Sequence, residues 1–207
     1  MIIDPRDHPF SDTHKLMIGS ILPRPIAFVS TVSKDGITNL APFSYFNGVC
    51  SNPPTIMFAP SRRGYDGKTK DTLNNIRDTR EFVVNIVSED FAEQMVRCST
   101  DFDPDVDEFD ISGLTPAPSV RITPPRVAES RVNFECELNQ IVEVGDGSPG
   151  SGFVVIGTIV LFHIHDDLYE QGHIVMEKLR PVGRLAGHRY VRVTDTLEIV
   201  RKIRPSD

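Results

Sequence analysis

The segment Ile26-Ala27-Phe28-Val29-Ser30-Thr31-Val32, the turn Lys34-Asp35-Gly36 and the return Ile37-Thr38-Asn39-Leu40 decide the fold class. The first segment is apolar and β-branched, which suits a pleated sheet surface. Asp-Gly between two such segments is a hairpin signal, because a tight turn takes glycine readily. Working outward, Phe43 to Val49 and Thr55 to Ala59 read as further strands. Asn52-Pro53-Pro54 separates them, and proline there removes ladder donors and marks a loop or a sheet edge.

Asp71 to Asp78 reads as a helix, with Asp71 as its cap and Leu73 and Ile76 at helical spacing. Glu81 to Val87 reads as a strand, with Phe82, Val84 and Ile86 alternating. Ser88 to Cys98 reads as a second helix capped by Ser88. Residues 100 to 128 are proline-rich and loop-like. Two long strands follow. In the first, Val132, Phe134, Cys136 and Leu138 alternate with polar residues, and the phase slips near Gln140 to Val142, which signals a bulge. Gly145 to Gly152 makes the hairpin loop. The partner strand, Phe153 to His165, is apolar on both faces. One face can fill a core, and the other needs a cover, either a helix of the same chain or a second subunit; a homodimer is the expectation. Many strands with few short helices predict a mainly β protein: a Greek-key-like antiparallel barrel with short helices.

The chain has 207 residues, enough for a single domain over 1–207 with a core of about 20–190. Its 22 basic against 29 acidic side chains argue against sequence-independent nucleic-acid binding. No apolar run approaches the roughly 20 residues of a membrane span, and the first residues do not read as a secretory signal. Cys50, Cys98 and Cys136 are scattered and form no C-x-x-C, which suits a reducing cytoplasm.

Asp101, Asp103, Asp105 and Asp107 alternate faintly like a calcium loop, but Val106 and Ser112 stand where glycine and a bidentate glutamate belong. The reading is therefore a solvated loop with no metal. His163-x-His165 lacks a third ligand at a defined spacing and reads as packed or interfacial. Glycines 145, 147, 150 and 152 form neither a P-loop nor a dinucleotide fingerprint.

Two clusters carry more. Ala41-Pro42-Phe43-Ser44-Tyr45-Phe46-Asn47-Gly48 could line a slot for a flat heterocycle, or be an ordinary core strand ending in a turn. Ser61-Arg62-Arg63 and Lys68-Thr69-Lys70-Asp71-Thr72 concentrate basic and hydroxyl groups at a helix start, where unsatisfied N–H groups and the helix dipole favour a phosphate. A solvated surface loop is the alternative. Taken together, a flat-ring slot and a phosphate seat match a phosphorylated aromatic cofactor such as FMN.

Arg24 to Val32, the Asp35-Gly36 turn, Asn39 to Asn47, Asn52-Pro53-Pro54, Lys70 to Ile76, Glu81 to Asn85, Val106 to Phe109 and Gly113 to Ala117 resemble, in that order, the flavin reductase-like family of FMN-binding split barrels. The likeness runs through about Tyr190. It implies a homodimeric split β-barrel with FMN near the subunit interface, FAD as the alternative flavin, and NAD(P)H as transient electron donor. It implies that Ser44, Tyr45, Phe46 and Asn47 lie along the ring, with Thr31, Ala41 and Pro42 close by. Ser61, Lys70, Asp71 and Thr72 would surround the phosphate, with Asp71 rather a cap than a ligand. Arg62 to Thr69 is longer than the family's usual link, so Arg62, Arg63 and Lys68 either replace or merely neighbour the usual phosphate contacts. Arg184, with Gly187 and Tyr190, matches a C-terminal Arg-x-x-Gly-x-x-Tyr that sits near the flavin or in dimer packing. The implied activity is NAD(P)H:flavin reduction, supplying reduced flavin or electrons to a partner such as a monooxygenase component. No side-chain acid or base is required for hydride transfer, so no catalytic residue is named. A non-catalytic FMN-binding electron carrier is the alternative, and an oxidase of a phosphorylated amine on a related barrel is a third reading.

Overall fold

The computed structural model describes residues 1–200; residues 201–207, the end of the expected single domain, lie outside the described residues. The labelled elements are α1 (Phe10–Ser20), β1 (Ala27–Val32), β2 (Thr38–Phe43), β3 (Phe46–Ser51), β4 (Pro54–Phe58), α2 (Asp71–Thr79) and β5 (Glu81–Ile86). They continue with α3 (Ala92–Arg97), α4 (Glu108–Ser112), β6 (Val132–Val144), β7 (Gly152–Ile164), β8 (Val182–Arg184) and β9 (Tyr190–Arg192).

Seven strands form one antiparallel sheet in the order β2-β1-β5-β6-β7-β4-β3. Laid flat, its edge strands would stand about 29 Å apart, at about 4.8 Å per spacing. Yet only Ser44 and Tyr45 separate the end of β2 from the start of β3. That link spans at most about 11 Å. The sheet must therefore curl until its edges meet. Those edges do not pair with each other, so the barrel is split along the line that Ser44-Tyr45 crosses.

The interior is filled from alternate positions. Phe43 packs at a tilt against Phe58, 5.0 Å between centroids, and Phe58 and Phe82 meet edge to face at 5.5 Å. Val29, Val84, Val155 and Phe153 complete this core, and Leu73 and Ile76 of α2 plug it. On the other side of β1 and β2, Phe28 and Leu40 pack against Phe91, Met95, Phe109 and Leu114. A strand buried on both faces reads as a continuous apolar run, which is why β1 looks as it does in the sequence.

Several expectations change. Asp71 is the first residue of α2, not its cap: Lys70 holds that position without a side-chain bond, and the Asp71 carboxylate takes Arg63 Nη2 at 2.9 Å. Ser88 caps nothing with its side chain; a 3-10 turn, Glu89–Phe91, precedes a shorter α3. The proline-rich stretch contains α4, capped by Asp107, which accepts from Phe109 N at 2.9 Å, and closed by Gly113 at φ 72. The register of β6 slips twice, between Glu135 and Cys136 and between Leu138 and Gln140. Helix α1 has no counterpart in the sequence reading. None of its residues is buried, and Pro9 offers no side-chain cap.

The core face of β7 carries Phe153, Val155, Gly157 and Ile159. Val154, Ile156, Val160 and Phe162 face outward, and Phe162 is 47% exposed.

Candidate functional site

The split opens into a cavity of about 410 Å³, within the range of small-molecule sites. One wall is the end of β2 and the crossing turn: Ala41, Pro42, Phe43, Ser44 and Tyr45. This wall can exist because the chain must bridge the two edge strands in two residues, which leaves main-chain groups of the turn outside any ladder. The opposite end is built from Ser61, Arg62, Arg63 and Gly64, together with Lys70, Asp71 and Thr72 at the start of α2. Residues 98–102 and Glu108 form a third side. His14 and Ile18 of α1 lie over the turn, with Arg24, Arg184 and Leu185 beside them.

Five cationic side chains line this space (Arg24, Arg62, Arg63, Lys70 and Arg184) against three carboxylates (Asp71, Asp101 and Glu108). The protein as a whole carries net −7, so the cavity is positive against its background. Arg62 binds Glu143 at 2.7 Å and stands over the Phe153 ring at 5.0 Å. Arg63 pairs with Asp71, and Lys70 with Asp101. Among the described residues, however, the buried Nε atoms of Arg62 and Arg63 find no acceptor, and the buried hydroxyl of Tyr45 finds no partner. A buried donor left unsatisfied costs about 1–3 kcal/mol. Three such groups bordering one cavity suit a ligand with anionic oxygens at one end and polar edge atoms at the other. A phosphorylated flavin meets both requirements, so the residues present fit it.

A buried polar lattice holds the floor. Glu108 takes Asn39 Nδ2 at 2.8 Å and Leu40 N at 2.9 Å. Asn39 Oδ1 takes the Thr72 hydroxyl at 2.7 Å and the Thr31 hydroxyl at 3.3 Å, and Asn75 donates to Thr31 at 3.1 Å. Burial pushes the Glu108 carboxyl up, against the bonds from Leu40 and Asn39 that favour its charge. The Cys98 thiol beside it is pushed up to about 11, chiefly by burial.

Of the residues singled out in the sequence, Ala41, Pro42, Ser44, Tyr45, Ser61, Arg62, Lys70, Asp71, Thr72 and Arg184 line the cavity. Thr31 stands behind it in the lattice. Phe46 points into the barrel core, opposite Phe58. Asn47 lies on the outer sheet face, opposite Met57, which in turn faces Ile156. Lys68 is outside the wall: the 62–69 loop folds on itself through Arg63 N to Lys68 O at 2.9 Å, turning Arg62 and Arg63 inward. The Thr72 hydroxyl is spent on Asn39, so only its main chain is free for an anion.

The sequence reading missed Arg24, His14, Asn39, Asp101 and Glu108. For Asp101 the misleading signal was the acidic run itself. It is no solvated loop throughout, since Asp101 holds Lys70 and Asp107 holds Thr38 and caps α4. His163 binds the fully buried Glu135, away from the cavity.

The family model of the flavin reductase like domain matches residues 18–181. Nitrilotriacetate monooxygenase component B from Bacillus cereus is 38% identical, with a TM-score of 0.92 over 96% of this chain and 98% of that one. The 2-nitrobenzoate 2-nitroreductase of Pseudomonas fluorescens is 32% identical, with a TM-score of 0.83 over 98% and 97%. A putative flavin reductase with a split barrel domain from Shewanella frigidimarina, 22% identical, has a TM-score of 0.82 over 95% and 96%, and shares the fold.

Proposed function

The chain belongs to the flavin reductase-like domain family, and on that premise we propose that it is an FMN-dependent oxidoreductase. It draws electrons from NAD(P)H and hands them on, as reduced flavin or as electrons, to a partner. The observation that carries this reading is the pairing within one cavity of a main-chain turn wall with two arginines whose buried Nε donors lack acceptors.

FMN, when bound, supplies a ring system that accepts a hydride from a nicotinamide and passes the electrons on. The protein supplies position and field. Ala41 to Tyr45 flank the ring, with the free Tyr45 hydroxyl and the turn's main chain available to its polar edge. Arg62 and Arg63 would donate to the phosphate through Nε, while Arg62 Nη1 and Nη2 stay tied to Gly67 and Glu143 and Arg63 Nη2 to Asp71. Ser61 offers a hydroxyl, Lys70 adds charge, and the first N–H groups of α2 complete the seat. The lattice of Glu108, Asn39, Thr72, Thr31 and Asn75 fixes the two walls relative to each other, with Thr31 acting only through it.

The 38% identity to a monooxygenase component B supports a partner oxygenase as the destination of reduced flavin. The apolar outer face of β7 supports a homodimer, in which Asn47 and Phe46 of the β3 edge come near the second copy. Three unpaired cysteines suit a reducing cytoplasm. Among the described residues, no helix is long and apolar enough to cross a membrane.

The purified protein is expected to release a yellow chromophore with the mass of FMN. Mixed anaerobically with FMN and NADH or NADPH, it bleaches the flavin faster than the same mixture without protein. Equal rates would defeat the reductase reading.

A further inference from the structure

Among the described residues, the cavity cations divide into two kinds. Arg62, Arg63 and Lys70 each hold a carboxylate. Arg24 and Arg184 hold none. These two residues face each other across an isolated antiparallel bridge, with Arg24 N to Arg184 O at 3.0 Å and Arg184 N to Arg24 O at 2.8 Å. Like charges directly opposite each other on paired strands repel.

Arg24 is moreover only 4% exposed. Its donors go to neutral groups: Ser44 Oγ at 3.2 Å, the Ile18 and Ile21 carbonyls at 2.9 and 2.8 Å, and the Leu185 carbonyl at 3.2 Å. Its guanidinium stands 6.0 Å from the centroid of the Tyr45 ring. Arg184 stands 4.6 Å over Tyr190, with one weak bond to Arg189 O at 3.4 Å. Burial, with the neighbouring Arg184, lowers the Arg24 pKa from its ordinary value. Other titratable groups facing this end are Tyr45 on the crossing turn and His14 on α1. A buried cation with its donors committed to carbonyls grips no ligand strongly. It does exert a field, undiminished by a counter-ion, on whatever lies against Ser44 and Tyr45.

We propose that the Arg24–Arg184 bridge is a fixed positive pole that favours the negative charge a flavin gains on reduction, and so raises the reduction potential of the bound cofactor. This rests on the FMN reading above. Arg24 acts here as a positioning residue, and Arg184 completes the pole from the more open side. Electrostatic preorganisation of this kind operates through groups already oriented before charge develops. A purely structural Arg24, a strut joining α1, Ser44 and Leu185, would affect affinity for both redox forms alike.

The test measures the dissociation constants of oxidised and reduced FMN, and the midpoint potential, for the unaltered protein, R24Q, R24K and R184Q. R24Q and R184Q are each expected to lose at least tenfold in preference for reduced over oxidised FMN, which for a two-electron couple is a fall of about 30 mV. R24K keeps most of that preference. In the unaltered protein, the pH at which the slope of potential against pH halves, marking deprotonation of reduced flavin, should lie below that of free FMN.

A variant that binds oxidised FMN and keeps the parent's potential overturns the proposal. Should R24Q fail to fold, R184Q and the pH break of the unaltered protein decide it. An unshifted break in a protein that binds FMN defeats the pole alone. No binding of FMN by the unaltered protein defeats the FMN reading, and the pole with it.

Discussion

Glu135 has no exposed surface, and its two oxygens accept Val120 N and Arg121 N, each at 2.7 Å, while His163 Nε2 adds a third contact. Burial alone would raise this carboxyl. The two backbone bonds and His163 outweigh it and hold the group below the ordinary 4.5. An acid depressed in the folded state contributes stability in full above its unfolded pKa, and loses it as pH falls through the folded one. E135Q is therefore expected to destabilise the protein by about 1–3 kcal/mol at pH 7, because an amide leaves one inward N–H facing a donor. In urea titrations that gap should narrow as pH drops below 4.5.

At the proposed phosphate end, Arg63 supplies an Nε donor that no other described residue uses. R63Q should weaken FMN binding roughly tenfold to a hundredfold, the worth of a hydrogen bond to a charged group. Fluorescence titration checks this, and an unchanged affinity would remove Arg63 from the seat. Residue types at this site were legible because basic and hydroxyl side chains crowd a helix start. Their pairings were not. Lys70 meets Asp101 from 31 positions away, and Asn39 meets Glu108 from 69. No local spacing encodes such a distance.

Strands were the more legible elements. In β5 and β6 the alternating apolar residues mark the core face, but Asn85, Asn133 and Glu135 on the other face are buried as well, and the outer face of β7 stays open although its sequence is apolar. Boundaries moved by one to three residues; the slip between Leu138 and Gln140 lies next to the one bulge expected, and the slip between Glu135 and Cys136 was not foreseen. Helix α1 was hidden for a physical reason: it buries no residue and has no side-chain cap, so neither periodicity nor a start signal marks it. Contacts from outside the helix hold it instead: Arg24, just beyond its end, binds the Ile18 and Ile21 carbonyls, and the Phe10 ring covers Gly150 from far along the chain.

The same dependence on distant neighbours sets one position within β7. A Cβ at Gly157 would lie 2.3 Å from the tip of the Phe82 ring, the ring that meets Phe58 in the barrel core. Phe82 is fully buried and has no room to retreat. Overpacking of this kind costs about 1–3 kcal/mol, so G157A should lower the urea midpoint with little change in slope. Full stability in that variant would mean that the barrel interior is looser than its ring contacts suggest.

At the scale of the molecule, the sheet that closes around its core leaves β7, one of its two longest strands, half covered. Phe162 meets Phe134 edge-on at 5.2 Å, yet is still 47% exposed. Val142 pairs with Val154 on the same surface and is 37% exposed. An apolar strip of this kind on a sheet face argues for a protein cover, and a second copy placed about a two-fold axis would bury the same side chains from both subunits. Each Phe162 would then contribute about 2 kcal/mol, and two are present per dimer, so F162E should weaken self-association by roughly a thousandfold. Sedimentation velocity at micromolar concentration should find the parent dimeric and F162E monomeric. Because Phe162 lies on the outer face, away from the cavity wall, the variant also separates two roles of the dimer. If the β3 edge of one copy completes the ring slot of the other, F162E loses FMN together with its partner. If each cavity is sufficient alone, the monomer binds FMN with the parent's affinity. A parent that sediments as a monomer at every concentration would assign the strip to another protein surface.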